Sequence, residues 1–165
     1  MTNASLRPIR EEDMEFLSRL YASTRADEMA MVVDWNDEQK EAFLRMQFQA
    51  QHAWYQEHYV GAQFDLLLVD GAPAGRLYVH RREAEIRLMD ISLLPEFRGS
   101  GIGTKLLREL MSEAESTGMP LTIHVEKYNP AMRLYLRLGF KPIDDRGPYD
   151  LMEWRSAYGA GLSEG

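Results

Sequence analysis

The heptapeptide "RGSGIGT", residues 98–104, has residue types and a spacing that suit a chemical task. Arg98 comes directly before three glycines at every second position, Gly99, Gly101 and Gly103. An apolar strand pattern precedes the heptapeptide and an amphipathic helical pattern follows it. The first N–H groups of a helix lack acceptors within it and carry the positive end of its dipole, so a glycine-lined helix start suits a pyrophosphate. The alternative is a tight turn that binds nothing, because glycine-rich turns are common.

Two phosphate-binding motifs can be compared with this spacing. A P-loop requires G-x-x-x-x-G-K-[ST], and counting from Gly99 the second glycine would fall on Thr104, which excludes that motif. A dinucleotide-binding turn requires G-x-G-x-x-G near the beginning of a βαβ unit, whereas the glycines here follow G-x-G-x-G well past the middle of the chain. A different pyrophosphate ligand is therefore favoured.

A second motif follows about 25 residues later: "NPAMRLYLRLGF", residues 129–140. Taken with "DISLLPEFRGSGIGTKLL", it makes the chain resemble the GNAT family of acyl-CoA-dependent N-acetyltransferases, and within it a common bacterial subgroup whose members mostly lack an assigned substrate. The resemblance is clearest over residues 85–140 and looser over residues 5–155. It implies an acetyl-CoA-dependent transferase that acetylates a primary amine of a small molecule or peptide. The alternative is a module that binds acyl-CoA without turnover.

The resemblance also implies which residues bind coenzyme A. Residues 98–104 would hold the pyrophosphate, and the backbone of residues 91–93 would pair with pantetheine like an added strand. Asn129 is expected beside that arm, although Asn before Pro is also a typical helix N-cap. Arg137 either reaches the phosphates or stays solvated. The expected cofactor-binding residues are Ile91, Ser92, Leu93, Arg98, Gly99, Ser100, Gly101, Ile102, Gly103, Thr104, Asn129 and Arg137.

Tyr135 matches the catalytic tyrosine of the family. A hydroxyl with a pKa of about 10 can protonate a thiolate whose conjugate acid is near 8.5, or hold it by a hydrogen bond. The structural alternative is an aromatic ring that packs against Phe140. Asp90 and His124 stand on the polar sides of two predicted strands and are candidate bases for the acceptor amine.

The first two predicted helices and the last hairpin would line the entrance for the acceptor. The candidates there are Trp35, Gln47, Gln51 and Tyr149, although aromatic residues at helical spacing usually belong to a core. The segment "MAMVVDW", residues 29–35, falls in a predicted loop, where apolar side chains would be exposed unless they cover something.

The positions of these residues require a mixed α/β fold. Apolar spacing predicts the order β α α β β β α β α β β, which gives a mostly antiparallel sheet of six to seven strands, a central splayed parallel pair and about four helices. Helices are expected after residue 10, from Asp37 to about Tyr59, from the glycines to Gly118, and from Asn129 to Gly139. All 165 residues form one expected domain, with a loose tail over residues 159–165.

The composition of the chain limits the classes of partner that are expected. The formal charge of −7 disfavours nucleic acid, and the longest apolar runs are too short to cross a membrane. The chain has no cysteine, which excludes thiolate metal sites and an acetyl-cysteine intermediate and is compatible with a reducing cytoplasm. The four histidines show no metal-binding spacing, so no metal is expected. A monomer and a homodimer both remain open.

Overall fold

Seven strands and five α-helices make up residues 3–157, the part of the chain that the computed structural model describes. The strands are β1 (Ala4–Pro8), β2 (Gln63–Val69), β3 (Ala72–Arg81), β4 (Ile86–Leu93), β5 (Leu121–Glu126), β6 (Lys141–Arg146) and β7 (Tyr149–Trp154). The helices are α1 (Met14–Thr24), α2 (Ala26–Ala30), α3 (Asp37–His58), α4 (Ile102–Thr117) and α5 (Met132–Leu138). Short 3₁₀ turns cover Glu11–Asp13 and Pro95–Phe97.

The strands form one sheet in the order β1-β2-β3-β4-β5-β7-β6. Strands β4 and β5 are parallel, with Ile86 opposite Leu121 and Leu88 opposite Ile123. The pairs β1–β2, β5–β7 and β6–β7 are antiparallel. A parallel pair requires a crossover connection, and α4 supplies it. The predicted mixed sheet with a central parallel pair is confirmed.

Contacts within the chain define two compact units, and strands β3 and β4 run through both. Among the described residues, the first unit comprises residues 3–78 and 90–103. It contains β1, β2, α1, α2 and α3, and its apolar cluster joins α1 to α3 and β2. The buried members of that cluster are Phe16, Leu17, Leu20, Tyr21, Leu44, Phe48 and Leu66.

The second unit comprises residues 79–89 and, within the described chain, residues 104–157. Helix α4 buries side chains spaced three or four residues apart, as expected of one apolar helix face. Strand β5 buries every residue from Leu121 to Val125 except His124. Gly118 ends α4 with φ +72°, a left-handed conformation that favours glycine. The buried residues of α4 in this unit are Leu106, Leu107, Leu110 and Ala114.

The long helices were predicted correctly, and two short features were not. Residues 3–157 contain five α-helices where about four were expected, because residues 26–30 form α2, which includes the first two residues of the segment expected to be a loop. Good helix formers in "ADEMA" and an ion pair of 2.9 Å between Arg25 and Glu28 account for α2. Helix α5 begins at Met132 rather than beside Asn129, because the Met132 N–H donates to the Asn129 carbonyl at 3.0 Å and closes a turn first. The predicted loose tail, residues 159–165, lies outside the described residues.

Candidate functional site

The glycine-rich segment after β4 is fixed by backbone conformation. The 3₁₀ turn Pro95–Phe97 ends with the Arg98 N–H donating to the Pro95 carbonyl at 3.2 Å. Gly99 and Gly101 then adopt φ values of +73° and +87°, in the left-handed region that L side chains rarely occupy. A Cβ added at either glycine would meet nothing within 4 Å. The backbone itself therefore requires glycine at both positions, and the space beside them is open.

Gly103 differs from these two glycines. It lies in the first turn of α4 without a left-handed φ, and an added Cβ would lie 3.8 Å from Leu93 Cδ1, an ordinary contact. The protein therefore leaves room for a side chain at Gly103. The first N–H groups of α4, in the turn that contains Gly103 and Thr104, have no acceptor within the helix. Without a side chain, Gly103 leaves these N–H groups more accessible to an anionic group than any other residue would.

Arg98 and Ser100 hold the segment to its surroundings. Arg98 Nε donates to the Leu93 carbonyl at 2.9 Å, and its Nη2 donates to Ser23 Oγ at 3.3 Å. Ser100 Oγ donates to the Phe97 carbonyl at 2.7 Å. The Arg98 side chain therefore ties the loop to β4 and α1 while remaining exposed.

The second half of β4 runs along β3 in close contact. The paired register between β4 and β5 covers residues 86–88, and Ile91, Ser92 and Leu93 lie beyond it. On the β3 side, the Leu94 N–H donates to the Ala74 carbonyl at 2.8 Å. A Cβ added at Gly75 would lie 2.1 Å from the Ser92 carbonyl oxygen, which no side chain tolerates. Gly75 therefore permits the close approach of these two strands.

Asp90 forms an ion pair with a buried arginine, Arg76. Arg76 is only 4% exposed, and its Nε donates to Asp90 Oδ2 at 2.5 Å. The Arg76 Nη2 donates to Gln51 Oε1 at 2.9 Å, and Ser92 Oγ donates to Asp90 Oδ2 at 2.8 Å. Burial opposes the charged form of Arg76, but the Asp90 carboxylate outweighs it and leaves the pKa of Arg76 raised.

Two tyrosines border this ion pair. The Arg76 guanidinium lies 4.6 Å from the ring centroid of Tyr78, a cation–π contact. The rings of Tyr55 and Tyr78 meet edge to face at 6.0 Å. Burial, with the Asp90 charge as a second cause, raises the pKa of Tyr55 well above its usual value. Tyr55 therefore stays a neutral hydroxyl at physiological pH.

His124 belongs to a separate polar cluster in the second unit. Arg87 is 8% exposed, and its three nitrogens reach Thr122 Oγ1 at 2.8 Å, His124 Nδ1 at 3.2 Å and Glu85 Oε1 at 3.0 Å. A guanidinium can only donate, so Nδ1 accepts and the neutral ring carries its proton on Nε2. Burial, and then the Arg87 charge, lowers the pKa of His124. The ring therefore offers a donor on the nitrogen that faces away from Arg87.

The expected catalytic tyrosine lies in α5. Tyr135 is 4% exposed, and its ring packs edge to face on Phe140 with centroids 5.5 Å apart. Asn129 Oδ1 accepts from the Ala131 N–H at 2.8 Å, which stabilises the turn before α5. Gly139 ends the helix with φ +104°, and Arg137 is exposed in the last turn. The predicted packing of Tyr135 on Phe140 is present, and it coexists with any chemical role of the hydroxyl.

The expected acceptor-binding residues are divided between the units. Gln47 accepts a hydrogen bond from the Tyr21 hydroxyl at 3.3 Å, and Gln51 is the partner of Arg76. Trp35 is 37% exposed and meets Phe43 edge to face at 5.2 Å. Tyr149 opens β7 and is 40% exposed. Trp35 and Tyr149 therefore remain accessible, whereas the side-chain oxygens of the two glutamines already accept hydrogen bonds.

Two buried arginines, Arg76 and Arg87, are not among the predicted site residues. Each is a charged residue inside an otherwise apolar strand segment, "GRLYV" and "IRLM". A lone arginine in such a segment indicates a buried ion pair, because a buried charge without a partner is costly. That signal was available in the sequence, but it does not identify the partner.

Two features are absent from residues 3–157. No helix in that range combines the length and apolar character that crossing a bilayer requires. No three or more His, Asp or Glu side chains within the same range are grouped as metal ligands.

Comparisons with known proteins agree with the resemblance. The chain is 33% identical over 101 residues to the N-alpha-acetyltransferase RimI of Mycobacterium tuberculosis, covering 61% of this chain and 63% of that protein. It is 35% identical over 66 residues to the [ribosomal protein bS18]-alanine N-acetyltransferase of Haemophilus influenzae, covering 39% and 45%. The chain thus spans less than two thirds of both curated relatives.

A solved structure shares the fold. The PaiA N-acetyltransferase of Thermoplasma acidophilum, crystallised with coenzyme A, has a TM-score of 0.70 at 20% identity, covering 93% of this chain and 99% of that one. The model of the acetyltransferase (GNAT) family matches residues 19–140. That range covers most of the chain and includes both the glycine segment and the Tyr135 motif, so this chain is a member of the GNAT acetyltransferase family.

Proposed function

We propose that this chain transfers an acetyl group from acetyl-CoA to a primary amine of a small molecule or peptide, by direct attack in a ternary complex. The observation that carries the proposal is the left-handed glycine segment at the start of α4, in a member of the GNAT family. A ping-pong route through an acetyl-cysteine is closed in this chain because it has no cysteine.

The residues around α4 fit coenzyme A. The open space at Gly99 and Gly101, with the first turn of α4 next to them, suits two linked phosphates. Ile91, Ser92 and Leu93 lie beyond the β4–β5 register, so their backbone groups are candidates for pairing with pantetheine. We assign the remaining contacts to Arg98, Ser100, Ile102, Thr104, Asn129 and Arg137.

Tyr135 is the proposed general acid. When bound, acetyl-CoA supplies the thioester carbonyl that the amine attacks and the thiolate that leaves. The Tyr135 hydroxyl, on a ring fixed against Phe140, would donate its proton to the departing sulfur or hold it by a hydrogen bond. Backbone N–H groups of β4 would donate to the developing oxyanion.

The contacts of the two candidate bases favour Asp90 over His124. His124 Nδ1 already accepts from Arg87, and its other ring nitrogen carries the proton of the neutral form. Asp90 receives both of its hydrogen bonds on Oδ2, and its side chain is 26% exposed. Asp90 is therefore the proposed acceptor of the amine proton, directly or through a water molecule.

The relatives support an α-amino group as the acceptor. One curated relative is an N-alpha-acetyltransferase and the other acts on an alanine of a ribosomal protein. The α-amino group of a peptide or protein is therefore the first acceptor to test, with Trp35 and Tyr149 as accessible side chains that could contact it. The net charge of −7 favours approach of a cationic amine.

We also propose that the protein acts in the cytoplasm, as a monomer or homodimer, without a nucleic-acid or membrane partner. The acidic charge and the cysteine-free sequence support this. A ribosomal protein as the substrate of one relative agrees with it.

A thiol-release assay tests the activity. Acetyl-CoA is incubated with the protein and with peptides of different N-terminal residues, amino acids and small amines, and released CoA is measured with a thiol reagent. The chain contributes no thiol background. Turnover with at least one amine is expected. Acetyl-CoA binding without turnover on any amine would contradict the transferase and support a non-catalytic acyl-CoA-binding module.

The substitution Gly101→Val tests the assignment of the cofactor segment. A valine strains the left-handed backbone and fills the open space, so acetyl-CoA binding by calorimetry should weaken about 100-fold or more. Gly118→Val is the matched control, because Gly118 has φ +72° and the same open surroundings at the other end of α4. The control should bind acetyl-CoA like the unmodified protein. Equal affinity in both variants would contradict the assignment.

A further inference from the structure

A cavity of about 450 Å³ opens within the first unit, away from the residues assigned above. Its walls come from the end of β1 and the following turn, Met14 of α1, two residues of α3 and residues 62–65 at the start of β2. None of the proposed catalytic, cofactor-binding or acceptor-binding residues lines it.

Asp65 is the unusual residue in this cavity. It is 5% exposed, and within residues 3–157 the one hydrogen-bond partner of its carboxylate is the side-chain amide of Gln63. No cationic side chain in the described part of the chain lies within ion-pair distance of it. The buried Asp13, by contrast, pairs with Arg7 at 2.8 Å, and Asp90 pairs with Arg76. A buried carboxylate without a cation is costly in free energy, so a cation from outside the chain would stabilise the Asp65 carboxylate.

The other groups that line the cavity do not supply that cation. The Arg10 guanidinium pairs with Glu12 at 3.4 Å rather than with Asp65. Burial, and then the charge of Arg76, lowers the pKa of His52, so its ring is neutral at physiological pH. Glu11 adds a second negative charge to the wall. The cavity therefore has a local excess of negative charge.

We infer that this cavity binds the ammonium group of a small alkylamine, with the Asp65 carboxylate as its ion-pair partner. Glu11 and the Gln56 amide oxygen are further acceptors for an ammonium, which has three N–H donors. Ile9, Met14 and Phe64 provide apolar walls for the alkyl stem. An ammonium on a short apolar stem matches both features, and the acidic chain favours its approach.

The first experiment titrates n-butylammonium chloride into the full chain at constant ionic strength and follows backbone amide signals by NMR. Shifts are expected at residues 62–65 and at Ile9. n-Butanol, which has the same alkyl stem without the charge, should not shift these amide signals. Asp65→Asn should weaken butylammonium binding about tenfold or more. Glu109→Gln removes one equal charge from an exposed residue of α4 outside the cavity wall and should keep the affinity of the unmodified protein.

A second measurement separates ligand binding from a structural role of Asp65. Because the carboxylate has no cation in the chain, Asp65→Asn should unfold at the same temperature as the unmodified protein or higher when no amine is present. About 50 mM butylammonium should raise the melting temperature of the unmodified protein but not that of the variant. The inference is overturned if butanol binds as well as butylammonium, if the variant binds within twofold of the unmodified protein, or if butylammonium does not bind. Acetyl transfer is not measured in either experiment, so the result is independent of the proposed function.

Discussion

At the scale of single residues, Tyr135 combines a packing role with a proposed chemical one. Its ring is buried against Phe140, and Gly139 lies between them in the chain with φ +104°. A ring held in this way keeps its hydroxyl in one place, which proton transfer to a departing thiolate requires. The two roles can be separated by removing only the hydroxyl.

Tyr135→Phe keeps the ring and removes the proton donor. We expect kcat to fall about 10- to 100-fold while acetyl-CoA affinity changes less than twofold, because the hydroxyl acts on the leaving group. Steady-state kinetics and calorimetry measure the two quantities. Tyr128→Phe is the control, since Tyr128 is 98% exposed and should tolerate the change. If Tyr135→Phe turns over at the unmodified rate, the acid is water or another group.

The residues of the glycine segment were predictable, whereas the partners of the buried Arg76 and Arg87 were not. Gly99 and Gly101 follow a local pattern, and a strand-to-helix turn of this shape needs left-handed positions. Arg76 and Asp90 are 14 residues apart, and Arg87 and Thr122 are 35 apart, so folding alone brings them together. Sequence spacing carries no information about such long-range pairs.

At the scale of elements, a substitution at the start of α4 can separate an effect on stability from an effect on ligand binding. Gly103 has room for a methyl group within the protein, as its 3.8 Å distance to Leu93 shows. Glycine is nevertheless a poor helix residue compared with alanine. Its presence here is explained if a ligand approaches the first turn.

Gly103→Ala should therefore make the protein more stable and weaken its binding of acetyl-CoA. We expect the free energy of unfolding to rise by about 0.5 kcal/mol, from helix propensity, and acetyl-CoA affinity to fall about tenfold because the methyl group meets the phosphates. Urea unfolding and calorimetry measure the two effects. Ser112→Ala, on the exposed side of α4, should stabilise without loss of affinity. Undiminished affinity in Gly103→Ala would mean that the ligand does not approach this turn.

Helices with a long apolar periodicity were predicted from the sequence. Short helices whose bounds depend on a few local hydrogen bonds were not. Helices α3 and α4 have 22 and 16 residues, enough for a repeated pattern. Helix α2 has five residues and no buried side chain, so the sequence shows no apolar face that would predict a helix there. The start of α5 depends on the Asn129 turn, in which one side-chain bond competes with the first helical turn.

At the scale of the whole molecule, the acid side of the stability curve should reflect two histidines. Burial lowers the pKa of both His52 and His124 in the folded chain. Their pKa in the unfolded chain is about 6.5, so below that pH the unfolded state binds more protons. The free energy of unfolding should therefore fall as the pH drops from 6.5 towards the folded-state values. Urea unfolding at about pH 7.5, 6.5 and 5.5 measures this fall.

The double variant His52→Gln, His124→Gln serves as the control for that fall. It should lose less stability between pH 6.5 and 5.5 than the unmodified protein. The hydrogen bond with Arg7 lowers the pKa of Asp13. Paired carboxylates of this kind lose their contribution to the free energy of unfolding only at pH below about 4, so they do not affect this comparison. An equal loss in both proteins would assign the acid sensitivity to other groups.

The last strand of the sheet has a consequence for self-association. Strand β6 ends the sheet order, and every one of its six residues is exposed. An open strand edge is a template on which further chains can add, leading to aggregates. In "KPIDDR" four charges of both signs and a proline without an N–H occupy five of those six positions. Side chains of this kind make uncontrolled edge-to-edge growth on β6 unfavourable.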